Sequence, residues 1–163
     1  MQLRPELMPP ALDEARVARL AKLAAWIDGG RPGQWEESLD GFNREAGTAF
    51  TFADFQGIYG GMEHETFVRQ VLSEPAVRKV PDVTDDELLE LLRRVCGAEG
   101  AEHELAFWLR LLEANLPDPR LSDLIFWPGE YFGDGNDARP LSPREILDIA
   151  RTAHRAERGG SHP

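Results

Sequence analysis

Apolar positions along the chain recur at helical spacing almost throughout, and no segment sustains the every-second-residue alternation of a half-buried strand. In ALDEARVARLAKLAAWID, Leu12, Val17, Leu20, Leu23, Ala24 and Ile27 fall near one face, and Gly29-Gly30 stops the pattern. GQWEESLDGFNREAG predicts a second, weaker helix carrying Trp35, Leu39 and Phe42. TFADFQGIYGG predicts a third, opened by Thr51 with Asp54 three residues on, a loose capping box, and ended by Gly60-Gly61. MEHETFVRQVLSEP supplies a fourth, closed by Pro75. AVRKVPDVT then reads as an extended connector, because Pro81 disfavours helix at Val80.

Punctuation is sharper in the second half. Thr84 precedes DDELLELLRRVCG, with Glu87 at the capping-box position and Asp85 and Asp86 favoured by the helix dipole. Leu88, Leu91, Leu92 and Val95 form its apolar stripe, Gly97 ends it, and Cys96 beside the stripe is expected to be a buried small hydrophobe. EHELAFWLRLLEANL brings Leu105, Trp108, Leu109, Leu111 and Leu112, and stops at Pro117 and Pro119. LSDLIFWPGEYF then crowds Phe126, Trp127, Tyr131 and Phe132 around Pro128 and Gly129, in a segment too short for a full helix. GDGNDARP reads as a loop, and Ser142 caps PREILDIARTAHR, with Pro143 at the first helical position where its missing donor costs nothing. The expected fold is all-α. A small helical N-terminal domain over residues 1–80 precedes a helical unit over 81–158 and a flexible tail over 159–163.

Charge sharpens this division. The net charge of −11 over 163 residues is uneven: residues 1–80 carry −3, residues 81–150 carry −10, and the remainder +2. Nucleic-acid binders neutralise phosphate with Lys and Arg, so direct DNA or RNA binding is not expected. The acidic segment suits a basic protein partner, and also suits plain solubility. No apolar run approaches the roughly 20 residues of a membrane span. The N-terminal MQLRPELMPPALDEAR lacks a basic region followed by an apolar one, so no secretory signal is expected. One cysteine excludes an internal disulfide, and the simplest location is the cytoplasm.

Little in the sequence points to catalysis. His64-Glu65-Thr66 lacks the second histidine of a zinc-protease helix, and His103, His154 and His162 have no acid or cysteine at ligand spacing. Asp134 to Asp137 resembles a calcium loop only superficially, since Ala138, Arg139 and Pro140 occupy further liganding positions. GIYGGMEH has glycines without the Lys-Ser or Lys-Thr of a P-loop. No catalytic residue, metal or cofactor is expected.

From Thr84 to about Arg155 the chain resembles the immunity proteins that protect bacteria from their own colicin- and pyocin-type DNase toxins. Four ordered segments carry the likeness: TDDELLELLRRVCGAEG with its cysteine near the helix end, AEHELAFWLRLLEANLPDP, SDLIFWP where the family has Ser-Asp-Leu-Ile-Tyr-Tyr-Pro, and LSPREILDIARTAHR. The likeness covers roughly 70 of 163 residues, with a longer loop before the last helix. It implies a distorted antiparallel four-helix bundle with a very short third helix. It also implies a protein without enzymatic activity that binds a basic HNH-type nuclease domain beside its active site and blocks DNA. By position, Asp123, Phe126 and Trp127 would be the shared anchors, and Glu102, Leu105, Ala106, Leu109 and Glu113 the specificity face. A monomer is favoured. Two features depart from the family: Phe126 and Trp127 replace paired tyrosines, so two phenolic hydroxyls are gone, and residues 1–80 precede the bundle.

On the residues alone, Phe126 and Trp127 either plug a seam between the two domains or stand open for a partner. An alternative function is an interaction adaptor without a nuclease partner, in which Phe50, Phe52, Phe55 and Tyr59 line a groove in the first domain.

Overall fold

In the computed structural model the chain is described at residues 2–30, 33, 35–56 and 63–160, with backbone alone for residues 153–160. The described residues form helices and connecting turns, with no strand among them. Two compact units result, one of Pro10–Ala76 and one of Met1–Pro9 together with Val77–Pro163. The first nine residues thus group with the C-terminal part, where the sequence alone had placed them in the N-terminal domain. Their signal is too short for periodicity: among the described residues of this stretch the buried apolar side chains are Leu3 and Leu7.

The unit of residues 10–76 contains α1 (Glu14–Asp28), α2 (Trp35–Ala46), α3 (Phe52–Phe55), α4 (His64–Ser73) and a 3-10 turn at Glu74–Ala76. Asp13 caps α1 by accepting from the Ala15 amide at 3.0 Å. Against α1 pack α2, α3 and α4, around a core of Val17, Leu20, Ala24, Ile27, Phe42, Phe55 and Val68. Phe55 meets Phe42 edge-on at 5.1 Å and Phe67 at 5.5 Å, the offset geometry that aromatic pairs prefer. Asn43 fixes the turn after α2: its Oδ1 accepts from the Phe50 amide at 3.0 Å and its Nδ2 donates to the Phe50 carbonyl at 2.9 Å. The aromatic groove considered from sequence is thus a core instead, with Phe55 fully buried and Phe50 and Phe52 partly buried against it. Tyr59 and Gly60-Gly61 lie outside the described residues.

The other unit contains a 3-10 turn at Pro5–Leu7, then α5 (Asp85–Cys96), α6 (Glu102–Asn115), α7 (Leu121–Phe126), α8 (Pro128–Phe132) and α9 (Pro143–Gly160). The helices pack as a bundle: α5 meets α6 and α9, α9 meets α7, and α7 meets α8. The capping box at Thr84 forms as expected, with the Glu87 amide donating to Thr84 Oγ1 at 3.1 Å and the Thr84 amide to Glu87 Oε1 at 2.9 Å. Ser142 caps α9 in the same way through the Glu145 amide, at 3.1 Å. At α6 the N-cap is Ala101, which has no side-chain oxygen, so only the Glu104 arm closes, onto the Ala101 amide at 2.9 Å. Buried apolar positions fall where the stripes predict, at Leu88, Leu91, Leu92 and Val95 of α5 and at Trp108, Leu111 and Leu112 of α6, with Phe107 in addition. Helix α9 continues to Gly160, so residues 159 and 160 are helical where a tail was expected, and 161–163 lie outside the described residues.

The N-terminal segment is clamped to this bundle. Arg4 donates from Nε and Nη2 to the two carboxylate oxygens of Glu87, each at 2.7 Å, and from Nη1 to Asp82 at 3.0 Å. This bidentate fork holds the Glu87 carboxyl at about 2, well below its ordinary 4.5, with the Thr84 cap adding to the effect. Trp108 Nε1 donates to the Leu7 carbonyl at 3.0 Å inside the unit, which satisfies the indole, and the Arg94 guanidinium lies 4.9 Å from the Trp108 ring centre.

Candidate interaction site

Helix α7 ends at Trp127 because Pro128 cannot supply a helical amide and restricts the residue before it. Trp127 takes φ −135° and ψ 59°, outside the helical region, and its amide still closes onto the Asp123 carbonyl at 2.7 Å. Pro128 then opens α8 at the one helical position where proline is tolerated without loss. Two short helices therefore join at an apex occupied by Phe126 and Trp127. Both rings are exposed, Phe126 at 46% and Trp127 at 56%, and Phe132 at the end of α8 is exposed at 40%. Leu121 and Leu124, on the other face of α7, are buried.

A brace fixes the apex from behind. Asp118, buried in the Pro-rich link after α6, accepts from the Tyr131 hydroxyl at 2.7 Å through one oxygen and from the Arg120 amide at 2.9 Å through the other. The Arg120 guanidinium donates to the Glu130 carbonyl at 3.1 Å and lies 5.1 Å from the Tyr131 ring centre. The longer loop noted before the last helix folds back as well. The Asp134 and Gly135 amides donate to the Gly129 carbonyl at 3.0 and 3.1 Å, and the Gly129 amide donates to Asp137 Oδ1 at 2.9 Å. Asp134 and Asp137 thus close a turn over α8. Among the described residues no group of His, Cys, Asp and Glu could hold a metal ion. His162 and the side chain of His154 lie outside what is described.

Along α6, the positions Glu102, Leu105, Ala106, Leu109 and Glu113 step through one side of the helix. Glu102 and Glu113 are exposed and the three apolar residues are half-buried, while Phe107, Trp108, Leu111 and Leu112 face the interior. The Ser122 hydroxyl reaches Glu113 Oε1 at 3.4 Å, so the far end of this stripe meets the start of α7. Asp123, half-buried, has Arg120 Nε 3.5 Å from its Oδ2. The structure therefore brings an acidic and apolar stripe, a carboxylate and two bare rings onto α6 and α7.

Three features departed from expectation or escaped it. Cys96 is exposed and not buried: as the last residue of α5 it sits one position beyond Val95, off the stripe and at the helix edge. Asp118, Arg120 and Tyr131 were not read as a unit, although the Asp-Pro link and the ring were both visible. Glu90, in the middle of α5, is a buried carboxylate that periodicity did not mark. Arg93 holds it at 2.7 and 2.8 Å and Arg94 at 3.1 Å, which keeps its carboxyl at about 2.

No helix among the described residues is long and apolar enough to cross a membrane. No curated protein and no solved structure matches the chain. The family model described as colicin immunity protein / pyocin immunity protein matches residues 80–156, the span that holds α5 to α8 and most of α9. Over this C-terminal part the chain is similar to the colicin and pyocin immunity proteins.

Proposed function

We propose that the chain is a cytoplasmic immunity protein that binds and inhibits the nuclease domain of a DNase-type bacteriocin. The observation that carries the reading is the SDLIFWP segment, which lies within the family match and leaves Phe126 and Trp127 exposed. Large aromatics dominate the energetics of protein interfaces, and a bare pair at a rigid apex is ordered before binding. Asp123, Phe126 and Trp127 serve as anchors, and Glu102, Leu105, Ala106, Leu109 and Glu113 select among toxins.

The partner is a basic, HNH-type nuclease domain. Its DNA-binding surface is positive because phosphate must be neutralised there. Carboxylates at Glu102, Glu113 and Asp123 complement that surface, and the −10 balance of residues 81–150 speeds the encounter. The exposed Arg120–Asp123 pair holds its carboxylate weakly, as surface ion pairs do, so a partner cation can replace Arg120. The protein acts as a monomer, by occupying the DNA surface next to the active site, and performs no chemistry itself.

The test is a titration of the chain against its cognate DNase-type bacteriocin nuclease domain, with cleavage of plasmid DNA as the readout. Cleavage should stop at one equivalent of protein. Full cleavage at a large excess would refute the assignment.

A further inference from the structure

Helix α8 and the loop after it hold none of the anchors assigned so far, yet they carry a bare ring of their own. Among the described residues of this unit the exposed large rings are Phe126, Trp127 and Phe132, all within seven consecutive positions. One exposed ring is ordinary on a surface, but three in one stretch make a patch. The patch is continuous around the apex. Phe126 and Arg139 border the same recess, and the Arg139 guanidinium lies 4.4 Å from the Phe132 ring centre.

Phe132 is also held in place. It meets Tyr131 edge-on at 5.0 Å, and Tyr131 is tied in turn to Asp118. The Asp134 and Gly135 amides close the following loop onto the Gly129 carbonyl. The ring is therefore ordered before any partner arrives, which lowers the cost of binding.

Charge selects the partner. Residues 120–140 hold four carboxylates, Asp123, Glu130, Asp134 and Asp137, against Arg120 and Arg139. Both cations are engaged within the lobe, Arg120 by the Glu130 carbonyl and Arg139 by Asp134. An aromatic face in a negative field attracts lysine and arginine, whose stems lie on apolar surface while the charge stays in the polar surroundings. Arg139 shows this from within the chain, since its guanidinium meets both the Phe132 ring and a carboxylate. Phe132 remains 40% exposed beside it.

We infer that Phe132 is a further anchor of the docking surface, and that its guest is a lysine or arginine of the same basic nuclease domain that rests on Phe126 and Trp127. The inference rests on the proposed function and adds a contact from the end of α8, outside the SDLIFWP segment. A second copy of the chain would bring its own −11 charge to an acidic rim, and is disfavoured for that reason.

Hydroxyl-radical footprinting of the wild-type chain, alone and in complex with a cognate DNase-type bacteriocin nuclease domain, reads the rings side by side. Oxidation of Phe132 should slow in the complex together with that of Trp127. Phe132→Ala should bind at least about tenfold more weakly, and Phe132→Leu, which is apolar but has no ring face, nearly as weakly. Phe132→Tyr should keep wild-type affinity. Footprinting needs no substitution, so it decides even where a variant loses stability. A complex in which Trp127 is protected and Phe132 is oxidised at the free rate overturns the anchor and leaves the inhibitor reading standing. Wild-type affinity in Phe132→Leu overturns the cationic guest. Protection that follows the chain's own concentration assigns the ring to a second copy and overturns the anchor too. Failure of excess protein to inhibit the nuclease at all removes the inhibitor reading, and the anchor with it.

Discussion

The Tyr131 hydroxyl donates to Asp118 Oδ2 at 2.7 Å, a bond that spans 13 residues and ties α8 to the link ahead of α7. Between its two ends the chain turns twice and exposes Phe126 and Trp127. Asp118 is buried, so loss of this donor leaves a carboxylate oxygen without its partner. Tyr131→Phe should therefore destabilise the protein by about 1–3 kcal/mol in chemical denaturation, the usual cost of an unmet buried polar group. An unchanged midpoint would show that the brace carries no weight.

Gly129 is required by close approach. A Cβ at this position would stand 2.5 Å from the Asn136 amide nitrogen and 2.6 Å from the Gly135 carbonyl carbon, both of them backbone. Neither can swing away as a side-chain tip would, so the loop must open. Gly129→Ala should cost about 1–3 kcal/mol, as overpacking does, and should speed proteolysis between residues 133 and 140. Wild-type stability with wild-type proteolysis would contradict the close contact.

The N-terminal segment is part of the bundle although it lies outside the family match. Leu7 is fully buried and its carbonyl receives the Trp108 indole. Leu7→Ala should lower stability by about 2–5 kcal/mol, the range for large-to-small changes in a core. A surface-like loss of a few tenths would place the segment off the bundle.

Glu90 supplies a pH signature. Arg93 and Arg94 hold its carboxyl at about 2 against an ordinary 4.5, so the folded state favours the ionised form. A depressed acid stabilises the fold above its unfolded value and loses that contribution as pH falls through its folded one. The stability gap between wild type and Glu90→Gln should thus be full at pH 6 and close between about pH 4.5 and 2. A gap that stays constant across this window would remove the ion pairs as its source.

How much of this was legible follows from the range over which each feature is encoded. Helix starts at Thr84 and Ser142 are local chemistry, three residues wide, and stand where the sequence puts them. The exposed apex was legible as a question, because Pro128 limits how much of four rings a short helix can bury. Its answer needed the fold: Leu121 and Leu124 fill the inner face and leave Phe126 and Trp127 outside. Arg4 with Glu87 was out of reach, since the partners lie 83 residues apart and a lone arginine before a proline has no pattern. Cys96 failed by one position of helical phase, which periodicity near a helix end does not resolve. The likeness to the immunity-protein family, by contrast, was readable over the C-terminal part, since it lies in residue order and needs no geometry.

The most direct test is the affinity of a cognate DNase-type bacteriocin nuclease domain for wild-type protein, Phe126→Ala and Trp127→Ala, measured by calorimetry. Each substitution should weaken binding by about 2 kcal/mol or more, while melting stays near wild type because both rings are exposed. Equal affinity for all three proteins would contradict the claim that this apex grips the toxin.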